Sequence, residues 1–213
     1  MSSSTHAAPV LQAARRVRDL APSPTIAVSD RARQLKAQGI DVIDLGGGDP
    51  DFITPEHIRR AAIDAMNAGE THYVASAGIP ALRKAIADKL RVDNGIEVDP
   101  AGGVIVTPGG KQALFEAALA FVEPGVDVLI PEPAWVSYGP MVELAGGRPV
   151  PVQTTADDNW RLTLAALEEA VTPDSRILLV NSPNNPTGHV FDDLELADIA
   201  EFSRRHNLVV FSD

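Results

Sequence analysis

Asn181-Ser182-Pro183-Asn184-Asn185-Pro186-Thr187-Gly188 follows an apolar run, Ile177-Leu178-Leu179-Val180, and precedes a helical pattern that begins near Asp192. Strand, polar loop, helix is the order that sets a loop at the carboxyl end of a parallel strand, where open α/β sheets bind ligands. The density of X-Pro pairs stiffens this loop and admits cis peptide bonds. Side-chain amides on a stiff loop suit a flat polar ligand.

The same alternation extends outward on both sides. Apolar strands are read at Val104–Thr107, Val126–Ile130, Arg148–Gln153, Ile177–Asn181 and Leu208–Asp213, with helices near Lys111–Val122, Trp135–Ala145, Leu164–Val171 and Asp193–His206. Short strands that are apolar on both faces, joined by helical crossovers, predict an α/β fold with a mostly parallel sheet and helices on both faces. Nearer the amino terminus the texture differs. Met1–Arg18 reads as a loose arm or short peripheral helix, Pro22-Ser23-Pro24-Thr25 as a break, and Ser29–Gln38 as a helix closed by Gly39. Asp41–Leu45 reads as a short strand running into the glycine loop Gly46-Gly47-Gly48-Asp49-Pro50-Asp51-Phe52. Thr54 is expected to cap a helix with Pro55 at its first position, Ile58, Ala61, Ala62, Ala65 and Met66 on one face and Gly69 after it. A further helix is expected from Pro80 to Asn94, closed by Gly95.

Composition narrows the function classes. At 45% hydrophobic and 22% charged, 213 residues suffice for a substantial core. A formal net charge of -11 argues against a nucleic-acid or anionic-membrane surface, though not against a local pocket for phosphate. Without cysteine there is no disulfide framework, thiolate nucleophile or cysteine metal site. The 5 histidines form no close pair and no H-E-x-x-H arrangement, which disfavours zinc. No apolar run approaches membrane-spanning length, so a cytoplasmic location is expected.

Other strand-to-helix loops carry chemistry of their own. In Thr107-Pro108-Gly109-Gly110-Lys111-Gln112 a strand ends, two glycines turn, and a helix begins. Backbone N–H groups at such a helix start form a phosphate seat, although an ordinary turn has the same outline. It is neither a Walker loop nor a G-x-G-x-x-G fingerprint. Trp135, after Pro131-Glu132-Pro133-Ala134, offers a plane for stacking or simply for packing. Asn185 is either a donor to an anionic oxygen or a turn residue bonded to its own backbone. Asp213, ending the last strand, is either a partner for a cationic ring nitrogen or a solvated carboxylate.

Asn-x-Pro-x-Asn-Pro-Thr-Gly, followed one helix later by a strand ending in Ser212-Asp213, resembles the class I aminotransferases, fold type I enzymes of pyridoxal 5′-phosphate (PLP), in their aspartate/prephenate branch. The likeness runs from about Pro22 to Asp213. It implies that Gly109, Gly110 and Lys111 hold the cofactor's phosphate, that Trp135 stacks on its ring, and that Asn185 donates to its phenolate oxygen. Asp213 would keep its ring nitrogen protonated. Tyr73, five residues before Gly78-Ile79-Pro80, would reach the phosphate in a neighbouring subunit, which implies a homodimer. Gly48, Thr25, Lys111, Trp135 and Asn185 match positions that meet substrate. Glu132-Pro133 and Asn185-Pro186 match cis peptides.

The implied reaction moves an amino group between aspartate or glutamate and a 2-oxo acid, prephenate being a possible acceptor. A lyase or synthase of the same fold, or a PLP-binding module without turnover, are alternatives at this stage. The resemblance also implies a division into 1–50, an arm with a small-domain segment, and 51–213, a PLP-binding large domain cut after its fifth central strand. The lysine that such enzymes join to the cofactor as a Schiff base is expected beyond Asp213. None of Lys36, Lys84, Lys89 and Lys111 matches it, so no catalytic residue is expected in this chain and turnover by it alone is not expected. A sheet that ends at Asp213 is expected to leave apolar surface or a strand edge exposed.

Overall fold

The computed structural model describes residues 12–22, 24–48 and 50–213, the end of the expected arm forming the short helix α1 (Arg15–Arg18); the arm as far as residue 11, Ser23 of the expected break and Asp49 of the glycine loop lie outside the described residues. By internal contacts the chain forms two units, one of the residues through Ala27 with Leu114–Asp213, the other Val28–Ala113.

The first unit is built on a four-stranded parallel sheet in the order β2-β1-β3-β4, with β1 Asp127–Glu132, β2 Arg148–Gln153, β3 Ser175–Val180 and β4 Val209–Ser212. Pleating sends alternate side chains to opposite faces. Val128, Ile130, Ile177 and Leu179 enter one core with Ala118 and Val122 from the end of α5 (Gly110–Phe121) and its following turn, and with Tyr138 and Val142 from α6 (Tyr138–Ala145). Leu129, Val152, Leu178 and Val180 enter the other with Leu167 of α7 (Leu164–Ala170) and Ile199 and Phe202 of α8 (Asp193–Arg205). A strand covered on both faces must be apolar at successive positions, which is why β3 reads as an uninterrupted Ile-Leu-Leu-Val.

Local chemistry sets the helix ends. Asp192 accepts the Glu195 N–H at 2.8 Å while the Glu195 carboxylate accepts the Asp192 N–H at 3.2 Å, a reciprocal capping box that starts α8. Gly146 ends α6 in the left-handed region at φ 97°. At Gly147 a Cβ would lie 2.3 Å from the Val122 side chain and 3.0 Å from the Val126 carbonyl, so only glycine fits between α6 and β2.

The Val28–Ala113 unit holds most of α2 (Pro24–Ala37) together with α3 (Glu56–Asn67) and α4 (Pro80–Asn94). Several expectations change here. α2 starts at Pro24, within the expected break, because proline is tolerated in a first turn. Pro55 itself is the N-cap of α3; the Thr54 carbonyl instead accepts from Arg59 Nε at 2.9 Å. Asp41–Leu45 is not a strand, and no described residue pairs with it. Val104–Thr107 is likewise not a strand: the sheet has four strands rather than five, and the Val106 N–H bonds the Ala77 carbonyl at 3.0 Å. In both segments apolar alternation recorded side-chain character, while a strand also requires a ladder partner. Val104 is nevertheless buried, and Val106 packs over Gly78, where φ is +100° and a Cβ would fall 2.6 Å from the valine methyl. Among the described residues no helix is long and apolar enough to cross a membrane.

Candidate functional site

The carboxyl ends of β3 and β4 bring the chain's polar residues together. The Asp213 N–H bonds the Val180 carbonyl at 2.9 Å, and the Asp213 carbonyl accepts from Asn181 Nδ2 at 3.1 Å and from the Ser182 N–H at 3.4 Å. Asn181 turns the other way as well: its Oδ1 accepts the Asn185 N–H at 2.7 Å. Asn184 secures the loop, its Oδ1 accepting the Thr187 N–H at 3.2 Å and the Thr187 hydroxyl at 2.9 Å. Gly188 closes the turn at φ 73°. The Asn181–Gly188 loop is thus held by its first and fourth residues. Glu132-Pro133 and Asn185-Pro186 are cis, as expected, and so is Ser182-Pro183.

From the opposite side, the Tyr138 hydroxyl donates to Asp213 Oδ2. Tyr138 is buried, and its ring meets Trp135 edge to face at 5.3 Å between centroids and 84° between planes. Burial, and then the adjacent Asp213 carboxylate, push the Tyr138 hydroxyl above its ordinary pKa, so it is a donor throughout the neutral range. A continuous path of contacts therefore runs Trp135, Tyr138, Asp213, Asn181, Asn185, drawing three of the expected residues from three loops to one sheet end. Sequence reasoning missed Tyr138 and Asn181. Asn181 had an available signal, being placed to receive a loop N–H four residues on; Tyr138 had none, since its partner lies 75 residues away.

Gly109, Gly110 and Lys111 belong to the Val28–Ala113 unit, as do Gly48 and Tyr73. The Thr107 hydroxyl bonds the Gly109 carbonyl at 2.9 Å, Gly109 has φ +86°, and Gly110 opens α5. A Cβ at either glycine would meet nothing within 4 Å, and the first turn of α5 carries no acidic residue, which suits an anion seated on backbone N–H groups. Gly48 and Tyr73 are exposed, and Thr25 is exposed in the first turn of α2. Of the other lysines, Lys84 pairs with Asp88 at 2.5 Å and Lys89 bonds Asn94 at 2.7 Å, both on the surface of α4.

Taken separately, the groups of each unit suit a part of a phosphorylated pyridine. A carboxylate at a strand end suits a cationic ring nitrogen, an indole beside a buried phenol suits a ring face, and the glycine turn leaves room where a side chain would obstruct a phosphate.

A cavity of about 400 Å³ in the sheet unit adjoins the end of the Asn181–Gly188 loop and is lined in part by Arg161, Thr187, His189, Asp192 and Glu195. Its chemistry is already committed. Glu195 accepts from the Leu162 N–H at 3.0 Å, from the Asp192 N–H and from His189 at 3.0 Å, and Arg161 pairs with Asp192 at 3.1 Å. A buried carboxylate with its oxygens so engaged joins α8 to the segment before α7 and has little capacity left for a ligand. Among the described residues no group of side chains has the makings of a metal site.

Comparison with known proteins bears on the same region. A family model described as aminotransferase class I and II matches residues 40–213. The aspartate aminotransferase of Bacillus sp. (strain YM-2) is 44% identical over 94% of this chain and 51% of its own length. The aspartate/prephenate aminotransferase of Cereibacter sphaeroides is 48% identical over 90% of this chain and 48% of its own. Among solved structures, the aspartate aminotransferase from Thermus thermophilus with maleate superposes with a TM-score of 0.91 at 43% identity, covering 95% of this chain and 53% of that one. The chain spans about half the length of the curated relatives it matches.

Proposed function

We infer the function from one premise: this chain belongs to the class I and II aminotransferases. The whole protein moves an amino group between an acidic amino acid, aspartate or glutamate, and a 2-oxo acid, with prephenate as a candidate acceptor. The observation that carries this reading is the contact path from Trp135 through Tyr138, Asp213 and Asn181 to Asn185, which gathers three ring-binding candidates at one sheet end.

In this reading PLP, when bound, supplies an electron sink for a carbanion at substrate Cα. The residues of this chain bind and orient it. The turn at Gly109 and Gly110, through the Gly110 N–H since that of Gly109 bonds the Thr107 carbonyl, and the Lys111 ammonium take the phosphate, and the Trp135 indole covers the ring. The Asn185 amide donates to the phenolate oxygen. The Asp213 carboxylate holds a proton on the ring nitrogen by opposite charge. Gly48, Thr25, Lys111, Trp135 and Asn185 are each assigned to substrate, Lys111 attracting a distal carboxylate. Tyr73 contributes to the phosphate site of a second copy, so the active form is a homodimer. The lysine linked to the cofactor is supplied by residues beyond Asp213. A cytoplasmic location completes the proposal.

The test is a coupled assay of the full-length protein with PLP, aspartate and 2-oxoglutarate, following oxaloacetate. Turnover is expected, with prephenate tried as an alternative acceptor, and Asp213→Ala should reduce kcat/KM by about 100-fold or more. Absence of turnover with either acidic amino acid would overturn the substrate class. The 213-residue chain by itself should show no sustained turnover. Sustained turnover there would overturn the placement of the linking lysine.

A further inference from the structure

Tyr138 is a buried ionisable group that the reading above leaves unused. It is the first residue of α6, 2% exposed, and packed with Val128, Ile130 and Val142. A phenol buried among aliphatic side chains needs a partner for its hydroxyl, since an unsatisfied one is costly. Its partner is Asp213 Oδ2 on the last strand, seventy-five residues away in sequence.

The backbone of Asp213 is already fixed on both sides, through Val180 on one and through Asn181 and Ser182 on the other. Its side chain is exposed, and the hydroxyl of Tyr138 is what stops the carboxylate rotating. We propose that Tyr138 is a positioning residue: by engaging Oδ2 it fixes the carboxylate plane and presents Oδ1 to the ring nitrogen of a pyridine ligand. This rests on the assignment of Asp213 to that nitrogen. Burial keeps the phenol protonated and able to donate throughout the neutral range.

A purely packing role would make Tyr138 matter equally for every ligand of the site, whereas a positioning role is specific to the ring nitrogen. The test is calorimetric binding of pyridoxamine 5′-phosphate and of its 1-deaza analogue, with C–H in place of the ring nitrogen, to the full-length protein and to its Tyr138→Phe variant. The unmodified protein should favour the nitrogen-containing ligand by about tenfold or more, as expected for a charge-assisted hydrogen bond. Tyr138→Phe should cut that preference by about three- to tenfold and leave the affinity for the deaza analogue unchanged.

An undiminished preference in Tyr138→Phe overturns the proposal, and so does an equal loss for both ligands. If the unmodified protein shows no preference, the assignment of Asp213 fails first and the proposal falls with it, a result distinct from a preference that ignores Tyr138. Should Tyr138→Phe not fold, replacement of Tyr138 by 3-fluorotyrosine keeps the ring and makes the hydroxyl more acidic. The preference should then shift at unchanged Tm, and an unshifted preference counts against the proposal.

Discussion

Across the sheet unit, Leu129, Val152, Leu167, Leu178 and Phe202 are fully enclosed, whereas in Val28–Ala113 Ile43, Leu45 and Phe52 stand 87%, 91% and 89% exposed. Both stretches are rich in apolar residues. They differ in geometry. A pleated sheet has two faces, each covered by helices of its own unit, so the apolar side chains of its central strands β1 and β3 find a partner surface, whereas Val209 and Val210 of the edge strand β4 stay 43% and 40% exposed. The helices α3 and α4 bury almost nothing between them: α3 has no buried residue and α4 only Ala87. Apolar content stabilises a fold only where area is removed from water. Hydrophobicity read along a sequence is thus a capacity for stabilisation, and the topology decides whether it is realised.

The largest test of that contrast is a pair of truncations. Phe202→Ala should lower unfolding stability by about 3–5 kcal/mol, because it empties a fully enclosed site. Ile43→Ala should stay within about 0.5 kcal/mol, because the side chain is already in water. Denaturant titration of both variants measures the difference, and equal losses would break the contrast. Hydrogen exchange sharpens it: amides of β1 and β3 should open only with global unfolding, and those of α3 far sooner.

Glu195 comes next. Its carboxylate receives N–H groups from Leu162 and Asp192 and the His189 ring, tying α8 to the segment ahead of α7. Glu195→Gln would set an amide NH₂ against backbone donors. The expected loss is about 2–3 kcal/mol in thermal or chemical denaturation. A loss below that of an exposed helix residue would mean that the buried network is not what closes the α8 face.

How much of this was legible beforehand follows from the same contrast. The strands from Val126 onward could be read because burial on both faces leaves runs such as Ile177-Leu178-Leu179-Val180, which no exposed loop needs. The start of α8 could be read from the helical pattern that begins near Asp192, and Gly95, read as the close of the helix from Pro80, does end it with a left-handed backbone. Val104–Thr107 and Asp41–Leu45 were misread because a strand is a relation between two segments, and one segment's pattern does not disclose its partner. At the candidate site Trp135, Asn185 and Asp213 carried recognisable chemistry. Tyr138 did not, since a tyrosine at a helix start looks like packing until the fold sets Asp213 against its hydroxyl. Long-range hydrogen bonds of this kind leave no local trace.

Glycines give a smaller effect that separates close approach from open backbone. Gly147→Ala would drive a Cβ to 2.3 Å from the Val122 side chain with the Val126 carbonyl at 3.0 Å on its other side, and should cost about 1–2 kcal/mol. Gly110→Ala meets no atom within 4 Å and should leave stability within about 0.5 kcal/mol. Its effect should appear instead in binding of inorganic phosphate or PLP, where the added methyl occupies the space over the helix start. Measured Tm values in the reverse order would show that the packing around Gly147 relaxes where the turn at Gly110 does not.

The smallest effect expected within the sheet unit is also the one that depends on pH. Asp127 opens β1 directly opposite Arg148 of β2; Arg148 Nε bonds Oδ1 at 2.8 Å, a second guanidinium nitrogen engages Oδ2, and the Thr172 hydroxyl adds a bond to Oδ2 at 2.6 Å. The Arg148 hydrogen bonds hold the carboxyl below the usual aspartate range, burial opposes them, and the Thr172 bond assists. A carboxyl whose pKa is lower in the folded than in the unfolded chain contributes stability above the unfolded value, about 3.9, and loses it as pH falls through the lowered folded value. Asp127→Asn should therefore be less stable than the parent by about 1 kcal/mol at pH 7, and the gap should narrow as pH falls below the unfolded value. The exposed pair Asp30–Arg33 in the helical unit gives the counterpart, and Asp30→Asn should move stability by less than about 0.5 kcal/mol at pH 7. If the Asp127→Asn gap instead persisted unchanged to pH 3, the pairing with Arg148 would not be its origin, and the loss would have to come from the packing of β1 against β2.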